Sequence, residues 1–230
     1  KIITAQGDLI GIDEYGTLAE EGLEAYEDDV EKPTRPPVYI SYAWGEDPED
    51  EKERLAEEVY RSLKPDYDVR RDKESIGYRS SIREFMEQIG RAGAVVAIIS
   101  DKYLRSPNCM YELYRVHTHD TFRERIFPIV LDDAKGLSDF EGRVEYIKYW
   151  QERIQDLKDK MGQIDQENCP PRMLEEYQNR LDICRHIGRL LEQLGDMNVL
   201  SPHVLQANDF EIIKDALSEW LYELQDRTEG

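Results

Sequence analysis

Apolar and polar positions alternate along this chain in blocks of two kinds. Val38-Tyr39-Ile40-Ser41-Tyr42 and Ala94-Val95-Val96-Ala97-Ile98-Ile99-Ser100 are short, mostly apolar runs. Such runs predict strands buried on both faces, as in the centre of a parallel sheet. Tyr67 to Arg71 and Arg125 to Leu131 predict two further strands, and Pro128 places the second near an edge or a bulge. Between them the period changes to helical. Leu55, Val59 and Leu63 recur over about 48–63, and Ile82, Phe85, Met86 and Ile89 over about 80–91, with Ser80 or Ser81 as N-cap. Ser106-Pro107 is an N-cap followed by proline at the first helical position. Residues 151–162 and 171–194 predict a charged helical hairpin, broken at Cys169-Pro170-Pro171. Tyr146 to Trp150 fits either a last strand or the start of that hairpin. Ile212, Ile213, Leu217 and Leu221 mark a final helix over about 209–224, capped by Asn208 or Asp209.

Alternating strands and helices predict a parallel sheet with helices on both faces. Right-handed crossovers bring the strand C-termini to one rim, where ligands bind beside the switch in strand order. Trp44, Asp72 and the Ser106 helix all follow strand C-termini. Ahead of this block, Ile2-Ile3 and Leu9-Ile10 flank Gln6-Gly7-Asp8 as a small hairpin. An acidic stretch with Pro33, Pro36 and Pro37 follows and reads as a linker. Residues 1–36 are therefore expected to be the tail of an upstream region, and residues 37–230 a domain with a helical insertion at about 142–200. The chain opens on Lys1, which suits a piece of a longer protein.

Composition narrows the function. The 230 residues carry a formal net charge of −20, which repels nucleic-acid phosphates. A local basic patch at Arg70, Arg71, Lys73 and Arg79 could meet a diphosphate or an acidic neighbour. No apolar run reaches the roughly 20 residues that span a bilayer, so no membrane partner is expected. Cys109, Cys169 and Cys184 are odd in number and widely spaced, which predicts no disulfide framework and fits a reducing, cytoplasmic setting. With the four histidines they form no metal pattern, so no metal site is expected. No glycine-rich dinucleotide fingerprint is present, which argues against a nicotinamide-dependent oxidoreductase.

Three segments in fixed order carry a family resemblance. They are Ile40-Ser41-Tyr42 closing a strand, the loop Asp72-Lys73-Glu74-Ser75-Ile76-Gly77-Tyr78, and Ser106 followed by Cys109-Met110-Tyr111-Glu112-Leu113. Tyr103 ahead of Ser106 fits as well. Together they resemble the TIR (Toll/interleukin-1 receptor) domain over about residues 37–230, most strongly at 38–130. The resemblance implies an α/β, flavodoxin-like fold: a parallel five-stranded sheet with helices on both faces, here with a helical insertion near the C-terminal half. It aligns the family's final aromatic motif with Tyr149-Trp150. Asn108 stands where many NAD-cleaving members have tryptophan.

The family contains NAD-cleaving enzymes and catalytically silent interaction modules. The first alternative implies an NAD+ hydrolase with Glu112 as catalytic carboxylate. Tyr42, Ala43, Trp44, Asp72, Ile76, Ser106 and Cys109 would line its substrate site. Ser75, Gly77, Tyr78 and Arg79 would contact a neighbouring copy. NAD+ would be substrate rather than cofactor, and self-association in signalling or antiviral defence would activate the enzyme. The second alternative is a scaffold that binds other TIR domains and makes no product. On residue type alone, Glu112 is a solvated helix charge, Cys109 a small packed side chain rather than a nucleophile, Trp44 a rim or core aromatic, and Asp72 a loop cap.

Overall fold

The structure is a computed structural model that describes residues 2–3, 9–10, 36–45, 50–71, 93–118, 122–164, 169–197 and 199–229. The chain divides into two compact units, Lys1–Thr34 and Arg35–Gly230. In the first, β1 (Ile2–Ile3) pairs antiparallel with β2 (Leu9–Ile10), with Ile2 opposite Ile10. The predicted helix over 80–91 and the loop residues Asp72, Ser75, Ile76, Gly77, Tyr78 and Arg79 lie outside the described residues.

The second unit is built on β3 (Val38–Tyr42), β4 (Val69–Arg71), β5 (Ala94–Ile99) and β6 (Ile126–Val130). All pairings are parallel, in the order β4-β3-β5-β6. The order reverses between β3 and β5, which is the switch point where such sheets open a crevice at the strand C-termini. The helices are α1 (Glu51–Leu63), α2 (Asp101–Arg105), α3 (Pro107–His117), α4 (Phe122–Arg125), α5 (Phe140–Met161), α6 (Pro171–Gly195), α7 (Pro202–Ala207) and α8 (Glu211–Glu229).

Strand alternation sorts the core into two layers. Val38, Ile40 and Tyr42, with Ala94, Val96 and Ile98, face α1, α7 and α8 through Leu55, Val59, Leu205, Leu217 and Trp220. Tyr39, Ala43, Val95, Ala97 and Ile99 face the other side, packing with Leu113 of α3, Trp150 of α5 and Leu190 of α6. Helices therefore cover both faces, as predicted. The α5–α6 hairpin is no appendage: Ile183, Ile187, Leu190, Leu191 and Leu194 belong to the same core as β5.

The expected fifth strand is absent: among the described residues the sheet has four strands. Tyr146 to Trp150 is helical, in the second and third turns of α5. Past α6 the chain returns beside β6, where Met197 and Leu200 line one cavity of about 400 Å³ with Ile126, Phe127 and Pro128. No ladder forms there among the described residues. The Leu131 N–H donates to the Ile99 carbonyl at 2.9 Å, so Phe127 and Ile129 aim their backbone groups at β5 and Pro128 faces outward. Proline has no N–H, so the middle of the open edge lacks a donor. Pro128 thus sits at an edge, as the sequence predicts.

Two local differences have plain causes. Helix α2 goes unpredicted because it is only 5 residues long, too short for a period to register; Ser100 caps it, accepting from the Tyr103 N–H at 3.1 Å. Asp209 is not an N-cap: it takes a left-handed φ of 51°, and Phe210 follows at 60°, before α8 begins at Glu211. Phe210 is buried against the core, and that packing offsets the backbone strain.

Gly93 launches β5 with a φ of 103°. A Cβ there would run into the Pro37 carbonyl, which accepts the Ala94 N–H at 3.1 Å. The Gly93 carbonyl accepts from Arg125 Nε at 2.8 Å, so the turn has little freedom to shift. Gly93→Ala is expected to cost about 3 kcal/mol in chemical denaturation. A loss below about 1 kcal/mol would mean the turn relaxes.

Candidate functional site

The site begins with two elements that end at the sheet's C-terminal rim. β3 supplies Ser41, Tyr42 and, just past its end, Ala43 and Trp44. Helix α3 supplies Ser106, Cys109 and Glu112. Ser106 caps that helix: its Oγ accepts from the Cys109 N–H at 3.4 Å, with Pro107 in the first turn, as the sequence predicts.

Glu112 is not a solvated helix charge. It is 6% exposed, and its Oε2 accepts from Ser41 Oγ at 2.6 Å. Ser41 Oγ lies 3.0 Å from the Tyr103 hydroxyl on α2. Alternation along β3 turns Ser41 toward α3, on the side of Tyr39 and Ala43. A carboxylate tied to Ser41, near the C-terminal end of a central strand, lies beside the β3/β5 switch point, where this class of sheet binds ligands.

Of the other predicted residues, Ala43, Ser106 and Cys109 gather on the Glu112 side of the sheet. Ala43 and Cys109 are buried in that core layer. Tyr42 does not join them. Its ring lies in the opposite layer, and its hydroxyl donates to Glu53 Oε2 at 3.1 Å. Glu53 Oε1 also accepts the Gly45 N–H at 3.0 Å. The Tyr42–Gly45 turn is thereby fastened to α1, and it holds Trp44 at the rim, 42% exposed. Asp72, Ile76 and the loop residues Ser75, Gly77, Tyr78 and Arg79 lie outside the described residues.

The basic patch is partly committed within the chain. Arg71 pairs with Glu57 at 2.6 Å and stacks over the Tyr60 ring at 4.0 Å. The Arg71 hydrogen bond holds the Glu57 carboxyl below its ordinary range. Arg70 pairs with Asp68 at 2.9 Å.

Sequence reasoning passed over Ser41 and Tyr103 as site residues. The available signal was the one small polar side chain, Ser41, among the aliphatic and aromatic residues of a strand buried throughout, since a buried polar group needs a partner. The hairpin buttresses this region. Trp150 Nε1 donates to the Leu104 carbonyl at 2.9 Å, and Tyr146 Oη donates to Asp101 at 3.0 Å. Burial, then Asp101, pushes the Tyr146 hydroxyl pKa up. Arg105 lies over the rings of Tyr146 and Tyr149, at 5.2 and 4.8 Å. Among the described residues no cluster of three metal-ligating side chains occurs, and no helix is long and apolar enough to cross a membrane.

Comparison with known proteins adds the family. No curated protein matches the sequence. One solved structure aligns over 69% of this chain and 96% of its own, at 18% identity and a TM-score of 0.42. It is the structure of the activated Roq1 resistosome directly recognizing the pathogen effector XopQ (TIR domains). The family model described as TIR domain matches residues 38–164, more than half of the chain. On that match, this chain belongs to the TIR domain family.

Proposed function

We propose that this protein is an NAD+ hydrolase that cleaves the bond between nicotinamide and ribose. The observation that carries the reading is the buried Glu112 carboxylate, held by Ser41 at the C-terminal rim beside the switch point. Cleavage at this bond asks little of a protein. Nicotinamide leaves from a cationic ring with the bonding electron pair, so it departs neutral and needs no proton. The ribose carbon becomes an oxocarbenium-like centre, which a nearby carboxylate stabilises or captures as a transient ester. Water then adds a hydroxyl to that carbon and releases a proton, giving ADP-ribose; an internal nucleophile would give a cyclic derivative. One carboxylate replaces the acid–base pair of ordinary glycosidases. Trp44, exposed at the rim, offers an aromatic face to a planar ring.

Family membership supports activation by self-association in a cytoplasmic signalling or defence setting. A net charge of −20 opposes contact between copies. Association is therefore expected to strengthen as salt rises from about 0.02 to 0.2 M. Sedimentation velocity at the two salt levels measures this, and weakening with salt would point to attractive ion pairs between copies.

The competing reading is a scaffold without catalysis. The observation favouring it is the same burial: Glu112 could serve only to tie α3 to β3. Nicotinamide release by the clustered chain, compared with its Glu112→Gln and Glu112→Ala variants, separates the two. Release that disappears with the carboxylate supports the hydrolase. No release from a folded, clustered wild type leaves the scaffold.

A further inference from the structure

We propose that Tyr103 and Ser41 form a positioning relay that holds Glu112 ionised and in one orientation. The effect on the carboxylate follows from the hydrogen bonds alone; its consequence for catalysis rests on the hydrolase reading above. Ser41 is 2% exposed on a strand whose other residues are apolar or aromatic, so its hydroxyl must find partners inside the protein. A serine hydroxyl has one proton to give. That proton goes to Glu112 Oε2 at 2.6 Å, within the range of a bond to an ionised oxygen. The contact at 3.0 Å between Ser41 Oγ and the Tyr103 hydroxyl then has one consistent direction: Tyr103 donates and Ser41 accepts. Two hydroxyl dipoles line up toward one carboxylate, and each bond polarises the next.

Tyr103 is rigidly placed for this task. It is 0% exposed. Its backbone N–H is held by Ser100 Oγ at 3.1 Å, and the next carbonyl, of Leu104, is held by Trp150 at 2.9 Å. The relay therefore runs from the α5–α6 hairpin through α2 and β3 to the carboxylate on α3. Donors aimed at the ionised form favour it, whereas burial alone would favour the neutral acid. Among the described residues, α2 carries Asp101, Lys102 and Arg105 around Tyr103, with Asp101 paired to Arg105 and accepting from Tyr146. Helix α3 carries Cys109 and Arg115 three residues to either side of Glu112. Helix α6 brings Asp182 and Arg185 toward Tyr114, and His186 and Arg189 toward His117, further along α3. Across the β3/β5 ladder Ser41 pairs with Ala97, which carries no charge.

The test is a carbon-13 NMR titration of the glutamate carboxyls, with the Glu112 signal identified by its loss in Glu112→Gln. Tyr103→Phe keeps the ring and removes only the donor; it is expected to raise the Glu112 pKa by about half a unit to one unit. Ser41→Ala is expected to raise it further, and Ser41→Thr, which restores a hydroxyl, to return it toward wild type. The acidic limb of kcat/KM for nicotinamide release should move up with the titration. An unmoved Glu112 titration in folded Tyr103→Phe overturns the relay, whatever the activity. A moved titration in a chain that releases no nicotinamide keeps the relay and removes the hydrolase reading.

Discussion

Glu112→Gln is expected to reduce nicotinamide release about 1000-fold or more while leaving the fold intact. The size follows from the chemistry: loss of a single preorganised group that meets developing charge costs about 100- to 1000-fold, and loss of a nucleophile more. The choice of glutamine follows from the structure. The amide has the shape of the acid, and its oxygen can still accept from Ser41, so a site that is 6% exposed stays filled. Its stability should lie within about 1 kcal/mol of wild type. Glu112→Ala is a different experiment. It leaves a small cavity and strips Ser41 of its acceptor, at a cost of about 1–3 kcal/mol. Running both separates charge from scaffolding. A Glu112→Gln protein that releases nicotinamide at the wild-type rate would sink the hydrolase reading, because the negative charge and the nucleophilic carboxylate it depends on are gone.

Trp150→Ala is expected to lower stability by about 3–5 kcal/mol and the melting temperature by roughly 10 °C. Trp150 is among the largest fully buried side chains and is shared by the hairpin, α2 and the sheet. Its ring meets Tyr149 edge-on, with centroids 5.7 Å apart at 86°. Removing it opens a cavity in that layer and leaves the Leu104 carbonyl without its indole donor. Trp150→Phe retains most of the volume and should cost about 1–2 kcal/mol, chiefly through the lost hydrogen bond. Urea denaturation of the three proteins measures the difference. If Trp150→Ala lies within about 1 kcal/mol of wild type, the hairpin is not anchored through this residue. The relay adds a functional corollary: a loosened α2 moves Tyr103, so Trp150→Phe should also raise the Glu112 pKa slightly.

Much of the scaffold is legible in the chain because burial on both faces leaves an unambiguous pattern. Val38–Tyr42 is a strand with the expected bounds, and the run from Ala94 is a strand to Ile99, one residue short of the expected end because Ser100 caps α2. The start of α3 follows from Ser106-Pro107, since a cap and a fixed φ act within one turn. Pro128 announces an edge because a missing N–H is tolerated only there. Tyr146 to Trp150 resists such reading. Five residues with four large apolar or aromatic side chains suit a strand and a helix equally. Only packing against α2 and α6 selects the helix.

The sequence by itself determined an acidic chain with a parallel α/β core, the family motifs, and Glu112 as the one carboxylate of α3. Those are local or compositional properties, written within a few residues or summed over all of them. The tertiary structure decided that Glu112 is buried rather than solvated, and that Tyr42 turns away from it. It also decided that Ser41, 71 residues distant in sequence, is its partner. The number of strands in the described sheet was settled there too, by the outward-facing Pro128 and the helical hairpin. Each depends on which faces meet across the sheet, and a hydrogen bond between residues so far apart leaves no periodic trace along the chain.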